Sequence, residues 1–387
     1  MEQTSPTSQS TIGVYVHIPF CQRKCRYCDF YSITDLPRIP DFMAALQKEM
    51  HLSATPDLRA DTLYIGGGTP SLLTPKQVGQ IVDWAALCFN LEAGAEMTLE
   101  INPATATARD LQDYAAFGFT RVNIGIQSFH DPNLAFLGRK HTSDQALVAA
   151  KAAVMAGFTN IGLDLIYGLP DQTPGSWKSD LMQAIRLSPK HLSCYILSYE
   201  PHTPLHAERE AGRIVPLSDL RTADLFRMTH DFLGAAGYEH YEISNFAQGA
   251  RWRSQHNQKY WNLAPYVGLG PAAHGCRLPE RWWNHRSLDR YLEDLNQDKL
   301  PRSDQEALSE EQQMIESLYL GLRQADGIDL ADFQSRYQID FKLYFHTALD
   351  RFSAEQWLDM DNRRCRLTVE GMLFLDRIVD ELVEMIS

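Results

Sequence analysis

The sequence predicts an α/β protein: a partial (β/α)6 barrel followed by a smaller C-terminal helical domain of winged-helix-like form. Three observations predict it. Six apolar, β-branched segments recur, each followed by a helix-like stretch, an alternation that implies a parallel sheet with outer helices. Gly118, Gly157 and Gly237 each end a helix-like run and each precede Phe or Tyr; a glycine just past a helix can take the left-handed conformation that stops it. From Glu310 the pattern turns helical and stays so to the end of the chain, apart from one hairpin.

The strands read as residues 14–20, 62–66, 97–102, 121–128, 161–167 and 192–199, and the helices as 40–53, 75–89, 107–117, 143–156, 175–187 and 218–236. Six such units, against the eight of a closed barrel, imply an open three-quarter barrel over residues 13–240. Residues 1–12 are polar and lack an apolar core, so they read as a disordered start rather than a secretion signal. Residues 241–304 are rich in Trp, Tyr, His and Asn, show no clean period and read as a connecting region, with 301–304 a linker. Within 305–387, helices read from Glu310, near 329–336 and near 341–352. A hairpin around Asp361 and Asn362 and a last helix from Thr368 follow.

Composition narrows the function classes. The net charge of −13 argues against a nucleic-acid footprint. A winged-helix-like module without a basic recognition face therefore suits a lid or docking role. No apolar run reaches the roughly 18 to 20 residues of a membrane span, so a cytoplasmic protein is expected, with any membrane association made through partners. Of seven cysteines, Cys21, Cys25 and Cys28 are packed together, and Cys88, Cys194, Cys276 and Cys365 are scattered. A secreted disulfide framework would be denser and the chain shorter.

The packed three have the spacing C-x3-C-x2-C at the end of the first strand. Three thiolates on one loop can reach three corners of a [4Fe–4S] cubane and leave the fourth iron open. A structural zinc site would want four ligands, often in two CxxC pairs, and no second pair exists. Arg23, Lys24 and Arg26 are expected to help keep the sulfurs ionised. Tyr27 is expected to cover a bound cofactor.

Beyond the second strand, Gly66, Gly67 and Gly68 run into Thr69 and Pro70. Successive glycines let backbone approach a ligand closely, although a plain turn reads the same way. Glu100, Gln127 and Asp164 fall at strand ends and Arg139 lies beyond the fourth strand, on the face where barrel sites form. A charge in an apolar strand is costly unless paired. The ring reads as a cofactor site; the alternative is that Glu100 and Asp164 only bind backbone donors or each other.

The cluster loop resembles that of the radical S-adenosylmethionine (SAM) superfamily. The further motifs GGGTPSLL, E-x-N-P, G-I-Q-S-F, L-G-R-x-H and D-L-I-Y-G-L-P-x-Q-T are together similar to its coproporphyrinogen III oxidase-like branch, over roughly residues 13 to 380. The resemblance implies that the open iron binds the amino and carboxylate groups of SAM. One electron then cleaves the C–S bond to give a 5′-deoxyadenosyl radical. It also implies that Tyr15, Gly67, Gly68, Thr69, Glu100, Gln127, Arg139 and Asp164 bind SAM.

Two members of that branch must be separated. The oxygen-independent oxidases carry a further Cys two residues after the third cluster ligand, where this chain has Phe30, and an N-terminal extension, where only 13 residues precede the expected first strand. The run His256-Asn-Gln-Lys-Tyr-Trp261, with Y-E-I-S-N-F-A and Y-V-G-L-G-P-A-A-H-G around it, is similar to the H-N-x-x-Y-W mark of the HemW-type heme-chaperone subgroup. This resemblance implies heme as a third bound group, with His256 its axial iron ligand at a site apart from the cluster. Tyr260 and Trp261 would pack on the macrocycle. The bland reading has His256 cap a loop and the two aromatics fill core; His240 and His274 have no motif of their own. The expected partners are heme and heme-accepting apoproteins such as respiratory proteins. The alternatives are the oxidase itself, and, less in keeping with the charge, an RNA-modifying enzyme.

Overall fold

The computed structural model describes residues 11–54 and 58–386. Of the expected disordered start, residues 1–10 lie outside the described residues, whereas Ile12 already opens the first strand. In chain order the strands are β1 (Ile12–Ile18), β2 (Ala60–Gly67), β3 (Glu96–Ile101), β4 (Arg121–Gln127), β5 (Asn160–Tyr167) and β6 (His191–Ile196). Then come β7 (Glu239–Glu242), β8 (Asn245–Ala247), β9 (Tyr266–Leu269), β10 (His274–Arg277), β11 (Glu280–Asn284) and β12 (Arg302–Ala307). They form one sheet in the order β12-β11-β10-β9-β1-β2-β3-β4-β5-β6-β8-β7. From β9 through β6 every neighbour is parallel, and the strands beyond them at either edge are antiparallel. The strands β1 to β6 follow chain order and β1 does not pair with β6, so the barrel is open, as expected.

Helices Ile39–Ser53, Pro75–Phe89, Ala108–Ala116, Ser143–Met155, Pro174–Arg186 and Asp219–Ala235 cover the sheet. Local chemistry sets their ends. Four begin with a Thr whose hydroxyl accepts the N3 amide while the N3 side chain bonds back: Thr74–Gln77, Thr107–Asp110, Thr142–Gln145 and Thr173–Ser176. Each such box satisfies two otherwise orphaned N–H groups. At the other end Gly118, Gly157 and Gly237 have φ of 93°, 95° and 85°. The aromatics that follow, Phe119, Phe158 and Tyr238, are buried as the next strand starts. Two short helices, Asp131–Leu137 and Pro204–Glu210, were not expected; seven residues are too few to show a helical period.

The first strand is displaced from expectation. It ends at Ile18 instead of residue 20, because Pro19 has no N–H for the ladder. A larger correction concerns 241–304. This region is not an irregular connector. It supplies the helices Gln255–Trp261 and Leu288–Asn296 and five strands beyond β7, and Arg302 to Ala307, overlapping the expected linker, form the edge strand β12. Its strands are three to six residues long, and their aromatic side chains mask simple alternation.

The C-terminal unit has its own apolar core around Leu318, Phe333, Phe345, Phe352 and Ile378. It contains helices Glu310–Leu322, Leu330–Tyr337, His346–Ala354 and Leu375–Val383 with a small sheet, β13 (Ile328–Asp329), β14 (Leu358–Met360) and β15 (Arg364–Leu367), ordered β13-β15-β14. The β14–β15 hairpin turns at Asp361, as expected. Arg323–Glu242 at 2.8 Å and Arg253–Asp326 at 2.7 Å tie this unit to the barrel. No described helix is long and apolar enough to cross a membrane.

Candidate functional site

The site is built on the C-terminal ends of β1 to β5. The loop after β1 leaves the sheet at Phe20 and returns at Ile33, where the two segments bridge. Cys21 N–H donates to the Ile33 carbonyl at 2.9 Å, and Ile33 N–H to the Pro19 carbonyl at 2.8 Å. Between these pins Cys21, Cys25 and Cys28 are free thiols and half-buried, while the other four cysteines are buried. The Cys28 thiol is pushed up to about 11 by burial, with the neighbouring Cys25 and Cys21 adding to the rise and Lys24 opposing it. Arg26 does not serve the sulfurs as expected. Its guanidinium donates to the Phe136 carbonyl at 2.9 Å and pairs with Glu208, which fastens the loop to the helix Asp131–Leu137.

The three thiolates of a cubane bind three separate irons, so they need not converge on one point. Among the described residues no group of three or more His, Cys, Asp or Glu is arranged around a single ion. The surroundings fit a cluster with a ligand beside it. Thr69 Oγ1 lies 3.5 Å from Cys21 Sγ. A Cβ on Gly68 would stand 2.6 Å from the Phe20 carbonyl oxygen and 3.1 Å from Cys21 Sγ, so only glycine lets the backbone come this close to the cysteine loop. Gly67 has φ of 107°, which a side chain would strain.

Arg139 links the cluster loop to the ring. It donates to the Gly125 carbonyl at 2.7 Å and approaches Cys25 Sγ at 3.8 Å. It also bonds the Tyr27 hydroxyl. Its Nε is buried without a partner; an orphaned buried donor is costly and commonly marks a missing ligand or water. Tyr27 is half-buried against Leu137, Ile166 and Leu205. Gln127 ends β4 with φ of 68°, a conformation that costs energy for a side-chain-bearing residue and collects at functional sites.

The two ring carboxyls do not bond each other. Glu100 accepts the Tyr64 hydroxyl at 2.6 Å and the Gly67 N–H at 3.2 Å. Asp164 accepts the Asn123 amide at 3.1 Å and the Ser193 hydroxyl. Burial pushes Glu100 up to about 7, helped by Asp164. Burial likewise pushes Asp164 up to about 6, against the pull of Arg121 and Arg139. Two carboxyls held near neutrality are suited to a cation, which favours their charged form. Tyr15 is half-buried beside them, and its hydroxyl lies 3.1 Å from His17 Nδ1. Tyr64, Asn123 and His17 were not singled out from sequence. His17 stands two residues from Tyr15, Tyr64 pairs with Tyr15, and Asn123 pairs with Gly162, two residues from Asp164, so strand parity and register put them on the same face.

His256 is enclosed in this structure. The helix Gln255–Trp261 sits at the opposite, N-terminal end of the strands and plugs the barrel floor. His256 is 1 % exposed. Nδ1 lies 2.8 Å from Thr62 Oγ1 and Nε2 lies 2.8 Å from the Tyr260 hydroxyl, so both ring nitrogens are committed. Tyr15, Tyr64 and Tyr260 surround the ring. Burial, with Lys259 beside it, pushes the imidazole down to about 3. Neither nitrogen can reach a heme iron in this packing, and the motif does not stand apart from the ring site but forms its floor. His240 is also enclosed, with Nε2 on the Ile243 carbonyl and Nδ1 on His230. His274 is exposed on β10, its ring stacked on Trp283 at 6.0 Å. Burial, and then Arg281 and Arg286, push it below its ordinary value.

The model of the radical SAM superfamily matches residues 15–183, and that of the HemN C-terminal domain matches 308–374. The heme chaperone HemW of Lactococcus lactis is 33% identical over 94% of this chain and 95% of its own length. That of Escherichia coli is 40% identical over 68% of this chain and 70% of its own. The mitochondrial radical S-adenosyl methionine domain-containing protein 1 of Bos taurus is 32% identical over 99% and 89%. Among solved structures, the coproporphyrinogen III oxidase HemN of Escherichia coli superposes with a TM-score of 0.82 over 96% of this chain and 90% of its own, at 23% identity. That likeness concerns the fold.

Proposed function

The chain belongs to the radical SAM superfamily, in the group of the HemW heme chaperones, and on that premise we propose that it binds heme and hands it to apoproteins such as respiratory proteins. The observation that carries this reading is the end-to-end match, 33% identical over 94% of the chain, to a protein named as a heme chaperone. Cys21, Cys25 and Cys28 hold the [4Fe–4S] cluster in this reading. Gly67, Gly68, Thr69, Glu100, Gln127, Arg139 and Asp164 hold SAM, with Tyr15 behind them and Tyr27 against Arg139.

A cluster with an open iron supplies, when loaded, one-electron cleavage of the C–S bond of SAM. The chain's own residues bind and orient. Glu100 and Asp164 offer paired carboxyls to the ammonium and sulfonium charges. Arg139 offers its unpartnered Nε–H to the carboxylate, and the Gly67–Gly68 backbone leaves room for the amino-acid head group. Phe30 supports the chaperone over the oxidase. It is 67% exposed one residue beyond Asp29, at the position where the oxidase pattern requires a thiol.

The test sets heme delivery beside decarboxylation. Anaerobically reconstituted protein is titrated with heme, then mixed with an apo-hemoprotein, and separately incubated with coproporphyrinogen III, SAM and a reductant. The expected outcome is a Soret band, its transfer to the acceptor, and no protoporphyrinogen. Catalytic formation of protoporphyrinogen with no heme binding would reinstate the oxidase.

A further inference from the structure

Gln127 and Arg139 come from two short stretches, Gly125 to Phe129 and Leu137 to His141, that grip each other through the backbone. The pairing of β4 with β5 slips between them: Gly125 faces Asp164 and Gln127 faces Leu165, so Ile126 is one residue too many. Such a bulge bends a strand and re-aims its side chains. It starts one residue past the end of the β3–β4 ladder, which stops at Ile124. Two consecutive carbonyls at the bulge accept from side chains. The Gly125 carbonyl accepts from Arg139 at 2.7 Å, and the Ile126 carbonyl accepts from His141 Nε2 at 3.0 Å.

Gln127, with its φ of 68°, is thereby held from both sides. On one side stands His141, which is 2 % exposed and whose Nδ1 has no bonding partner. Burial, and then Arg139, push its imidazole down to about 4. The ring is neutral at ordinary pH, and the carbonyl fixes its one proton on Nε2. On the other side stands Asp180, fully buried on the helix Pro174–Arg186. It accepts the Phe129 N–H at 2.6 Å and the Ser128 hydroxyl at 2.8 Å. A left-handed residue with a side chain persists only where its surroundings over-determine it, and these bonds fix residues 126, 128 and 129. A Cβ on Gly125 would stand 3.0 Å from Gln127 Nε2 and 3.4 Å from Arg139 Nη2, so both side chains lie over this glycine. The stretch that carries Arg139 and His141 also meets the cluster loop, where the Arg26 N–H donates to the Leu137 carbonyl at 3.2 Å.

We propose that His141 is a positioning residue of the SAM site: by holding the Ile126 carbonyl it fixes the bulge that turns Gln127 into the ring and seats Arg139 beside it. The inference rests on the reading of the ring as the SAM site. His141 is enclosed and acts on the ring through Gln127 and Arg139, so it is no ligand itself. What the position requires is an N–H donor where Nε2 stands. A glutamine carries its amide nitrogen to that place. An asparagine reaches only to the place of Nδ1, where no partner stands, and a leucine fills the space without a donor.

The experiment measures SAM affinity by equilibrium dialysis on the full-length, anaerobically reconstituted chain. Wild type, His141→Gln, His141→Asn, His141→Leu and Arg139→Ala are compared, with iron and sulfide content and thermal midpoint measured in each. His141→Asn and His141→Leu should weaken SAM binding about tenfold, the worth of one well-placed buried hydrogen bond, with iron and sulfide kept. His141→Gln should stay within about threefold of wild type. Wild-type affinity in the Asn and Leu variants, with or without a lowered thermal midpoint, would overturn the proposal and leave His141 a packing residue. An affinity as weak in His141→Gln as in His141→Asn would overturn it too, and so would loss of iron and sulfide from the variants, which would assign His141 to the support of the cluster loop. A wild type that binds no SAM, or an Arg139→Ala that binds it as wild type does, would overturn the reading of the ring itself.

Discussion

The mouth and the floor of the barrel are lined by the same kinds of side chain and used in opposite ways. At the mouth, thiols are free and half-buried, Arg139 keeps an unpartnered Nε, and Gln127 holds a left-handed backbone. At the floor, His256, Thr62, Tyr260 and Glu96 are bonded to one another, and all but the half-buried Tyr260 are buried. Polar motif residues therefore do not by themselves announce a ligand. What separates His256 from Arg139 is whether bonding capacity is left over, since buried polar groups are normally satisfied; such a remainder is no mark of the mouth alone, because Arg121 Nε, Asn160 Oδ1 and His191 Nδ1 at the strand starts also lack partners.

The sharpest way to break this contrast is at the mouth. Cys25→Ala should abolish most of the iron and sulfide taken up on anaerobic reconstitution, and Cys88→Ala should change neither. Full occupancy in Cys25→Ala would remove the cluster assignment. Next in size, Arg139→Ala and Asp164→Asn should each weaken SAM binding by about 10- to 100-fold, or about 1.4–2.8 kcal/mol, with cluster content kept. Because Glu100 and Asp164 sit near 7 and 6, SAM should bind more tightly as pH rises from 5 to 8 and both become anionic. Asp164→Asn should flatten part of that rise, as read by equilibrium dialysis; a pH-independent affinity would argue that neither carboxyl touches the cation.

The floor should answer differently. His256→Ala should cost about 2–4 kcal/mol in stability, since it removes a buried ring and strands the hydroxyls of Thr62 and Tyr260. Urea unfolding checks this, and an unchanged midpoint would mean that the plug is not structural. The smallest effect is a slope. His256 is pushed down to about 3 when folded, against about 6.5 unfolded. Below pH 6.5 the unfolded chain takes up a proton that the folded one refuses, so stability falls as pH drops through that window and is unaffected above it. The contribution is at most about 1.4 kcal/mol per pH unit. His17, His141 and His240, each pushed down to about 4 by burial, act with the same sign. His256→Gln should therefore lower the acid slope without abolishing it.

The helices were legible because their signals are local. Thr74 with Gln77, or Thr142 with Gln145, starts a helix wherever it stands, and Gly118 stops one. The site residues at strand ends were legible for a related reason: a charge such as Asp164 within an apolar run needs a purpose. The fate of His256 was not legible, because burial at the floor depends on β2 and β3 packing against a helix more than 150 residues later. Nor was the β9–β12 extension, whose short strands are held by partners distant in sequence.

The pairing of β1 with β9 has a consequence for how the molecule is made. The strand that leads into the cysteine loop has one neighbour about 50 residues away and the other about 250 residues away, Tyr15 facing both Tyr64 and Gly268. During synthesis the first neighbour arrives early. The second cannot arrive until most of the chain has left the ribosome. Until then β1 is an edge strand with open N–H and C=O groups, the kind of surface that pairs with other chains. Chains cut short before residue 266 should consequently aggregate through β1, even though every residue named here as a cluster ligand is already present in them.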